Sequence, residues 1–293
     1  MKIKLFFLAT LTVCVNVALI GQIKTIFNPK DFANKTILSK IEIKNDKLEA
    51  EKNETEVSNA GSKMRIGKGI INQNVWRSLS IQPSNDKLIL KGKITKVVQE
   101  TESRGAISTY DSENRFERDG MATSQGATID PLIDKEFVIN ITSEELKFKN
   151  VNVTRQDFDN FWSPKNSLQS GKVIAGIFFN HLPINVSTNL EWSDSLATEK
   201  PLAPTIFKVK SIDKEKVTIM FTKTEKDGAV GTQSNVKATS DGQITKGEMI
   251  VDKKNGFIYE MNYKLESRLA MEIMGQKTRF DVDSMVKIVN TVK

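Results

Sequence analysis

The sequence is poor in the residues that most enzymes use for chemistry. Its 293 residues include one cysteine, Cys14, and one histidine, His181. Zinc and copper sites of the usual type need several Cys or His ligands, and a Ser-His-Asp site would have to be built around this single histidine. No Gly-x-Ser-x-Gly elbow and no Walker or dinucleotide glycine motif is present. We therefore predict no catalytic residues, no metal site and no cofactor, and a packing role for His181.

The chain also lacks a long block of like charge. Its net charge of +7 comes from 43 Lys and Arg against 36 Asp and Glu that are scattered along the sequence. Tails that bind nucleic acid or membranes carry runs of about five or six like charges, and single-strand-binding grooves interleave aromatic with basic residues. Neither pattern occurs, so we expect no nucleic-acid partner. Carboxylate pairs such as Glu144-Glu145 leave a carboxylate-based hydrolase as a less favoured alternative.

The longest apolar run lies at the N-terminus. Residues 5–20 follow Lys2 and Lys4, and Gly21 supplies a small residue for cleavage. This is the layout of a secretory signal peptide over residues 1–21. The alternatives are a retained membrane anchor, for which the run is short, and an acylated Cys14. We predict an exported protein of the periplasm or cell envelope of a Gram-negative bacterium, without an integral membrane segment after cleavage.

Composition divides the rest of the chain into two parts. Residues 22–85 form an N-terminal segment whose stretch 44–62 is almost entirely polar, and we predict a flexible or surface linker there, with a weak helix as the alternative. Residues 86–293 form a β-rich domain, for which a division into two halves near 163–200 is open. Within it, residues 101–130 are rich in Ser, Gly and charged side chains, and we predict a second long loop.

The β-rich part is predicted from alternation with a period of two. Residues 136–153 indicate a hairpin that pairs Ile141 with Leu146 and Ile139 with Phe148, and residues 205–221 indicate another. One stretch differs, because apolar side chains recur at helical spacing over residues 164–182 after a capping Ser163. The predicted fold is mainly β: curled antiparallel sheets, as a half-barrel or a sandwich, one unit or two similar halves, with one or two short helices.

The most regular alternation runs over residues 257–273. Its apolar positions include Phe257, Tyr259, Met261, Tyr263, Leu265, Leu269, Met271 and Ile273. The opposite positions are mostly polar, which is typical of an antiparallel strand with one solvated face. Fully extended, this run would measure about 55 Å at ~3.3 Å per residue, so we expect a bulge or a strongly twisted, curled sheet. A curled sheet has a concave apolar face, which must be covered by protein or by a ligand.

Turn chemistry predicts how this strand pairs with the strand before it. A loop at 254–256 with Gly256 in the left-handed region sets Val251 opposite Tyr259 and Met249 opposite Met261.

The turn after the strand is predicted from a glycine. A two-residue loop at 275–276 with Gly275 first sets Ile273 opposite Thr278 and Met271 opposite Phe280.

Three segments carry a resemblance to a known family. They are LILKGKITKVV followed by Tyr110-Asp111-Ser112; PLIDKEFVINITSEELKFKNV followed by a predicted helix, a Leu-Pro and Leu190-Glu191-Trp192; and the pattern G-x-M-I-V-D-x-x-x-G from Gly247 to Gly256. Over residues 86–293 this order resembles a domain-of-unknown-function family of exported β-rich envelope proteins of Gram-negative bacteria. Glu144-Glu145 departs from the turn glycine of that family. The resemblance implies export and a β-rich fold, and it implies no activity. At the level of architecture alone, the chain is similar to periplasmic lipoprotein carriers, whose open half-barrels hold acyl chains under a helical lid.

We therefore expect a non-enzymatic protein that binds a lipid or another apolar ligand on a concave sheet face. The residues predicted to line that face are Phe178, Tyr259, Met261, Tyr263, Met271 and Phe280. The stretch 164–182 is the predicted lid. The alternative is a structural or protein-interaction component of the cell envelope, with a partner protein bound by the polar stretches 44–62 and 101–130.

Overall fold

The computed structural model describes most of the chain after the N-terminal run. The described residues are 25–26, 29–50, 69–84, 87–103, 105–141, 146–148, 173–174, 176–193, 204–225, 228–233, 236–273 and 276–293.

These residues form strands, two 3-10 turns and one α-helix. The strands are β1 (Thr25–Ile26), β2 (Thr36–Ala50), β3 (Gly69–Ser84), β4 (Lys87–Ser103), β5 (Ala106–Asp111), β6 (Glu136–Ile141), β7 (Leu146–Phe148), β8 (Val173–Ile174), β9 (Phe178–Phe179), β10 (Leu182–Pro183), β11 (Glu191–Ser193), β12 (Thr205–Ile212), β13 (Lys216–Glu225), β14 (Gly228–Gln233), β15 (Val236–Asp252), β16 (Ile258–Ile273) and β17 (Gln276–Val292). The helix α1 spans Gly120–Ile129, and the 3-10 turns span Pro29–Phe32 and Asp130–Leu132.

Thirteen strands join in one antiparallel sheet. The order is β11-β12-β13-β15-β16-β17-β2-β3-β4-β6-β7, with β14 paired to β15 and β5 paired to β4. The sheet is not closed on itself, and with the single short helix it confirms the predicted mainly β, curled antiparallel fold. Two small two-stranded pairs, β1 with β10 and β8 with β9, accompany it.

One face of the sheet, here the inner face, carries the core. A row of paired apolar residues crosses eight strands at the same level: Val209, Ile219, Met249, Met261, Ile288, Ile41, Val75 and Val97. Each of these side chains is buried. The outer face carries ion pairs between strands, such as Lys264 with Asp283 and Lys287 with Glu260. This polar–apolar alternation follows directly from the side-chain period of two.

Residues 176–183, here the strap, lie across the inner face. The N–H of Phe179 donates to the carbonyl of Gly256 at 2.8 Å, and the N–H of Ile258 donates to the carbonyl of Ile177 at 2.7 Å. The Phe178 ring packs edge-on against Phe32 and Phe257, with centroids 5.4 and 5.9 Å away. The strap therefore satisfies its backbone by pairing with the β15–β16 hairpin.

The predicted helix over 164–182 is wrong for the part that the structure describes. Residues 173–174 and 176–183 form short strands and turns, and residues 164–172 and 175 lie outside the described residues. Ile177, Phe178 and Phe179 are all fully buried, so the segment buries several successive side chains instead of one helical stripe. Gly176, at φ +70°, also has a backbone conformation that a helix does not use.

The stretch 101–130, predicted as a long loop, is largely regular structure, and the described part of the stretch 44–62, predicted as a flexible or surface linker, is a strand. In the stretch 101–130, β4 continues to Ser103, β5 follows, and Asp119 caps α1 by accepting from the Ala122 N–H at 2.7 Å. In the stretch 44–62, β2 extends to Ala50, and residues 51–62 lie outside the described residues. Strands pair through backbone hydrogen bonds, which do not require apolar side chains. A strand whose face is solvated can therefore be rich in polar residues.

The hairpin predictions around β6 and β12 agree with the structure. Ile139 pairs with Phe148 and Ile141 pairs with Leu146, as predicted. The two predicted strands of residues 205–221 are β12 and β13, and Phe207 pairs with Phe221.

The β15–β16 hairpin is confirmed in part. Met249 pairs with Met261, and Gly256 has φ +76°. The predicted pairing of Val251 with Tyr259 is wrong, because the register shifts and Val251 pairs with Ile258. The bulge inserts Tyr259 as an extra residue, which the alternation alone cannot show.

The register predicted for the next hairpin is wrong by two residues. Ile273 pairs with Gln276 and Met271 pairs with Thr278, so the connection is 274–275 instead of 275–276. A shift of two residues keeps every side chain on its own face, and the apolar pattern therefore cannot distinguish the two registers.

Three non-glycine residues with positive φ mark strand starts. Asn34, Asp134 and Asn189 have φ of 63°, 61° and 65°, and each lies two residues before β2, β6 or β11. Their N–H groups donate to the carbonyls of Ile81, Ile94 and Val209, all on strands of the sheet. Asn and Asp tolerate the left-handed region better than most other residues with a side chain. The same turn conformation therefore precedes three strands of the sheet.

Candidate functional site

The structure brings three of the predicted ligand-binding residues together on the inner face. Phe178 and Met261 are 0% and 1% exposed, and Tyr263 is 4% exposed. Phe178 belongs to the strap, and its ring packs on Phe32 and Phe257. This part of the inner face is therefore covered by the protein itself.

The other three predicted residues are placed differently. Tyr259 is half-buried at the hairpin bulge, where its hydroxyl donates to Asp252 Oδ2 at 3.1 Å. Burial, followed by this hydrogen bond, raises the pKa of Tyr259. The backbones of Met271 and Phe280 pair with Thr278 and Leu269, and their side chains lie outside the described part.

Beyond the covered region, the inner face changes from apolar to polar. The row Phe207, Phe221, Gly247, Tyr263 and Val286 crosses five strands. Two residues further along each strand, the next row is Thr205, Lys223, Thr245, Leu265, Ser284 and Asn45. The row after that contains Glu225, Gln243 and Ser267. We call the polar residues of these two rows the polar band: Thr205, Lys223, Thr245, Ser284, Asn45, Glu225, Gln243 and Ser267.

The polar band is largely removed from solvent. Lys223 and Thr245 are 5% and 1% exposed, and Thr205, Ser267 and Ser284 are also buried. Such groups normally lie at the surface, because burial costs their hydration unless they gain hydrogen bonds. A buried lysine on the inner face of a sheet is therefore the feature that requires explanation.

Part of the band is satisfied by contacts within the protein. Lys223 Nζ forms an ion pair with Glu225, whose side chain is 33% exposed. Ser284 Oγ donates to Asn45 Oδ1 at 2.6 Å. Ser267 Oγ lies 3.4 Å from Gln243 Oε1, a long hydrogen bond.

Two atoms of the band have no hydrogen-bond partner in the structure as described. They are Thr245 Oγ1 and Gln243 Nε2, and both atoms are buried. These residues lie two positions apart on β15, so their side chains point to the same face. Buried polar atoms are paired in the great majority of proteins, and an exception calls for a specific cause, such as a ligand or ordered water.

Another buried cation lies elsewhere on the inner face. Arg77 of β3 is 1% exposed and donates to Ser39 Oγ at 2.6 Å. Burial lowers the pKa of Arg77 to about 9, so the side chain remains cationic at neutral pH. It lies under the strap, near Gly176, and belongs to the covered part of the face.

The single histidine lies beside the strap. His181 Nε2 is 3.5 Å from the Ser193 carbonyl oxygen, and the ring packs against Phe179 and Phe207. These contacts support the predicted packing role. Among the described residues, no group of three or more His, Cys, Asp or Glu side chains is arranged to hold a metal ion.

Comparison with known proteins adds no family assignment. No protein-family model matches the sequence, and no curated protein shows a significant match to it. The resemblance to a family of envelope proteins therefore stays a prediction. Across the described ranges, no helix combines the length and apolar character that crossing a membrane requires.

Sequence reasoning missed the polar band, although β13 contained a signal for it. Val217, Ile219 and Phe221 alternate to the inner face, and the same parity continues to Lys223 and Glu225. Continuing the count past the last apolar residue would have placed a lysine inside.

Proposed function

We propose that this protein is a non-enzymatic component of the bacterial envelope that binds a lipid or similar amphiphile on the inner face of its curled sheet. The observation that carries the proposal is the polar band. It places a buried lysine, a hydroxyl and an amide directly beside an apolar row on one continuous face. A molecule with one polar and one apolar end matches such a boundary.

The part of the inner face that the protein itself covers is not open to a ligand. Phe178, Met261 and Tyr263 are already packed by the protein, so they serve as one wall instead of an open binding surface. The apolar end of a ligand would contact Leu265, which is half-buried in the row of Thr245. In sequence, that direction contains the alternation with Leu269, Met271 and Phe280.

The test is native mass spectrometry of the protein purified from a bacterial envelope under mild extraction. We expect a co-purified lipid mass, or a mass shift after a phospholipid is added. A protein that shows its bare mass in both experiments would contradict the proposal.

A matched pair of variants locates the binding face. Leu265→Asn introduces a polar group on the inner face, whereas Met285→Asn changes a residue of the neighbouring strand that is 52% exposed. We expect the first variant to lose the lipid adduct and the second to retain it, with both folded as judged by circular dichroism. Equal retention would place any bound lipid elsewhere on the protein.

A further inference from the structure

Five lysines that are scattered in the sequence meet at one end of the sheet. Lys214 and Lys216 lie in and directly after the β12–β13 turn, Lys253 and Lys254 lie in the β15–β16 turn, and Lys35 precedes β2. We call these five residues the lysine end. Because they come from three distant segments, they form no run of like charge in the sequence.

Backbone and ring contacts hold the three segments side by side. The N–H of Lys253 donates to the carbonyl of Glu215 at 2.9 Å, which joins the two turns. Phe257, which follows the second turn, stacks on Phe32 with the ring centroids 4.8 Å apart. Lys35 Nζ lies 5.6 Å from the centroid of the Phe32 ring. The five ammonium groups therefore belong to one surface.

The lysine end differs from the outer face in how its charges are paired. On the outer face, lysines form ion pairs across strands, such as Lys264 with Asp283. Among the described residues, no ion pair includes a member of the lysine end, and Lys216 Nζ instead lies 4.2 Å from the centroid of the Tyr259 ring. Lys253 is half-buried, and the other four lysines are exposed.

The acidic residues of the same turns offset only part of this charge. The Asp252 carboxylate is directed into its own turn, where it accepts from the N–H of Lys254 at 2.8 Å and from the hydroxyl of Tyr259 at 3.1 Å. Asp213 accepts from the next backbone N–H at 2.7 Å, and Glu215 is exposed. Five ammonium groups against these three carboxylates leave a net charge of +2 on this surface.

The neighbouring 3-10 turn leaves this balance unchanged. Its charged residues Lys30 and Asp31 are both exposed and have opposite charges. An array of separate, solvated ammonium groups fits an extended anionic surface better than one small anion, which needs convergent donors. A bilayer with anionic lipids is such a surface, because its phosphates can rearrange beneath each lysine, and each lysine near it contributes about 1 kcal/mol.

We infer that the lysine end docks this protein on a membrane surface that contains anionic phospholipids. The choice of a membrane rests on the proposed envelope function, since a protein that binds a lipid has to meet the bilayer where lipids lie. The lysine end itself lies outside the polar band and makes its contact through charge alone. A net charge of +2 gives reversible docking that salt weakens.

The test is sedimentation of the protein with vesicles of phosphatidylcholine, either pure or with about 30% phosphatidylglycerol, at low ionic strength. We expect binding to the anionic vesicles alone, and its loss when the salt concentration rises to about 0.5 M. Duplex DNA, tested at the same salt concentration, is the competing polyanion.

A matched pair of triple variants assigns the binding to the lysine end. Changing Lys214, Lys253 and Lys254 to Gln should weaken binding to anionic vesicles roughly 5- to 100-fold, as the loss of three charges near the surface provides. The control changes three lysines of the outer face to Gln: Lys44, Lys208 and Lys246. Each triple removes two exposed lysines and one half-buried lysine, so the net charge of the two variants is equal. The control should retain most of the binding, with both variants folded as judged by circular dichroism.

The outcomes separate this inference from the proposed function. Equal binding to neutral and anionic vesicles, or equal losses in the two triple variants, would overturn docking through the lysine end. Binding to duplex DNA in preference to anionic vesicles would assign this surface to nucleic acid and would overturn it as well. A lipid adduct in native mass spectrometry would still support the proposed function in each of these cases.

Discussion

Gly247 shows how one residue fixes the boundary between the apolar and polar parts of the inner face. It lies on β15 between Phe221 and Tyr263 of the adjacent strands. A Cβ atom at this position would be 2.3 Å from the Asn262 carbonyl oxygen, 2.4 Å from Tyr263 Cβ and 2.8 Å from the Phe221 ring. The missing side chain leaves the space in which the two rings meet.

We predict that Gly247→Ala destabilises the protein by about 2–4 kcal/mol, because backbone and rings must move apart to admit the methyl group. Chemical unfolding monitored by circular dichroism measures the change. Gly120→Ala is the matched control, since a Cβ there meets no atom within 4 Å. It lies at the start of α1 and should leave stability unchanged or slightly higher. Equal effects of the two substitutions would show that the rings do not depend on Gly247.

A second cluster of residues lies between β5 and the 3-10 turn after α1, where the Asp130 carboxylate accepts hydrogen bonds from two side chains. Arg118 donates to both carboxylate oxygens, at 2.6 and 3.0 Å, and Tyr110 Oη donates to Oδ1 at 2.7 Å. The hydrogen bonds from Arg118, followed by that from Tyr110, hold the pKa of Asp130 below its ordinary value. The side chain of Arg118 is only 8% exposed. The cluster therefore fastens α1 and its 3-10 extension to β5.

This lowered pKa gives the stability a defined pH dependence. A carboxyl whose pKa is lower in the folded state stabilises the protein above its ordinary pKa, about 3.9, and this stabilisation is lost as the pH falls through the folded-state pKa. We predict that Asp130→Asn costs about 1–3 kcal/mol at pH 7 and that the difference from the unmodified protein narrows below about pH 4. Thermal unfolding at several pH values measures it. Glu113→Gln, at a carboxylate whose side chain is 65% exposed, should change little at any pH. A constant difference for Asp130→Asn across this range would contradict the assignment.

At the scale of secondary structure elements, the strap is an irregular segment whose apolar side chains Ile177, Phe178, Phe179 and Leu182 are all buried. Its attachment depends on Asn290 of β17, which is 2% exposed. Asn290 Nδ2 donates to the carbonyl of Gly176 at 2.9 Å and to that of Ile258 at 2.8 Å. One amide group thus joins the strap, the hairpin and the central strand.

We predict that Asn290→Ala destabilises the strap selectively, because it leaves two carbonyls without their donor, at a cost of about 2–4 kcal/mol. Hydrogen exchange by mass spectrometry should show faster exchange for the amides of Phe179 and Ile258 than for those along β17. Asn262→Ala is the control, since its side chain contacts Glu260 on the outer face. Uniform acceleration across the sheet would indicate global unfolding and would contradict a local role.

The elements also show what the sequence allows one to predict. Alternation identifies β6, β7, β12 and β13 and the inner face of β16, because burial on one face enforces a period of two. It does not identify the strap, since a segment buried on several sides has no single period, and helical spacing of a few residues arises by chance. Nor does it fix the register beyond β16, because registers two residues apart bury the same face. The polar band depends on pairing between β13, β15 and β16, which only the three-dimensional structure provides.

At the scale of the whole molecule, the centre of the sheet is formed by segments that are far apart in sequence. β2 pairs with β17 along nearly its full length, from Ile37 with Val292 to Ala50 with Phe280. The next strands outward are β3 and β16, so β2 and β3 lie between the C-terminal strand β17 and β4. The pairing of β2 with β17 is the contact in the sheet order that joins β11–β17 to β2–β7. Contacts between such distant segments slow folding, because a long loop must close before they form.

The pairing of β2 with β17 also determines how the molecule responds to force. The strands are antiparallel, and Thr36 and Lys293 exchange backbone hydrogen bonds, at 3.3 and 2.8 Å, at one end of the pair. A load applied between these two residues pulls both strands from the same end. The two strands then unzip, because the hydrogen bonds break one pair after another. In shear geometry, all of these hydrogen bonds would bear the load at once. An optical trap attached at positions 36 and 293 should therefore open the sheet from its centre at low force, whereas attachment at positions 50 and 293 loads the same strands in shear and should require much more.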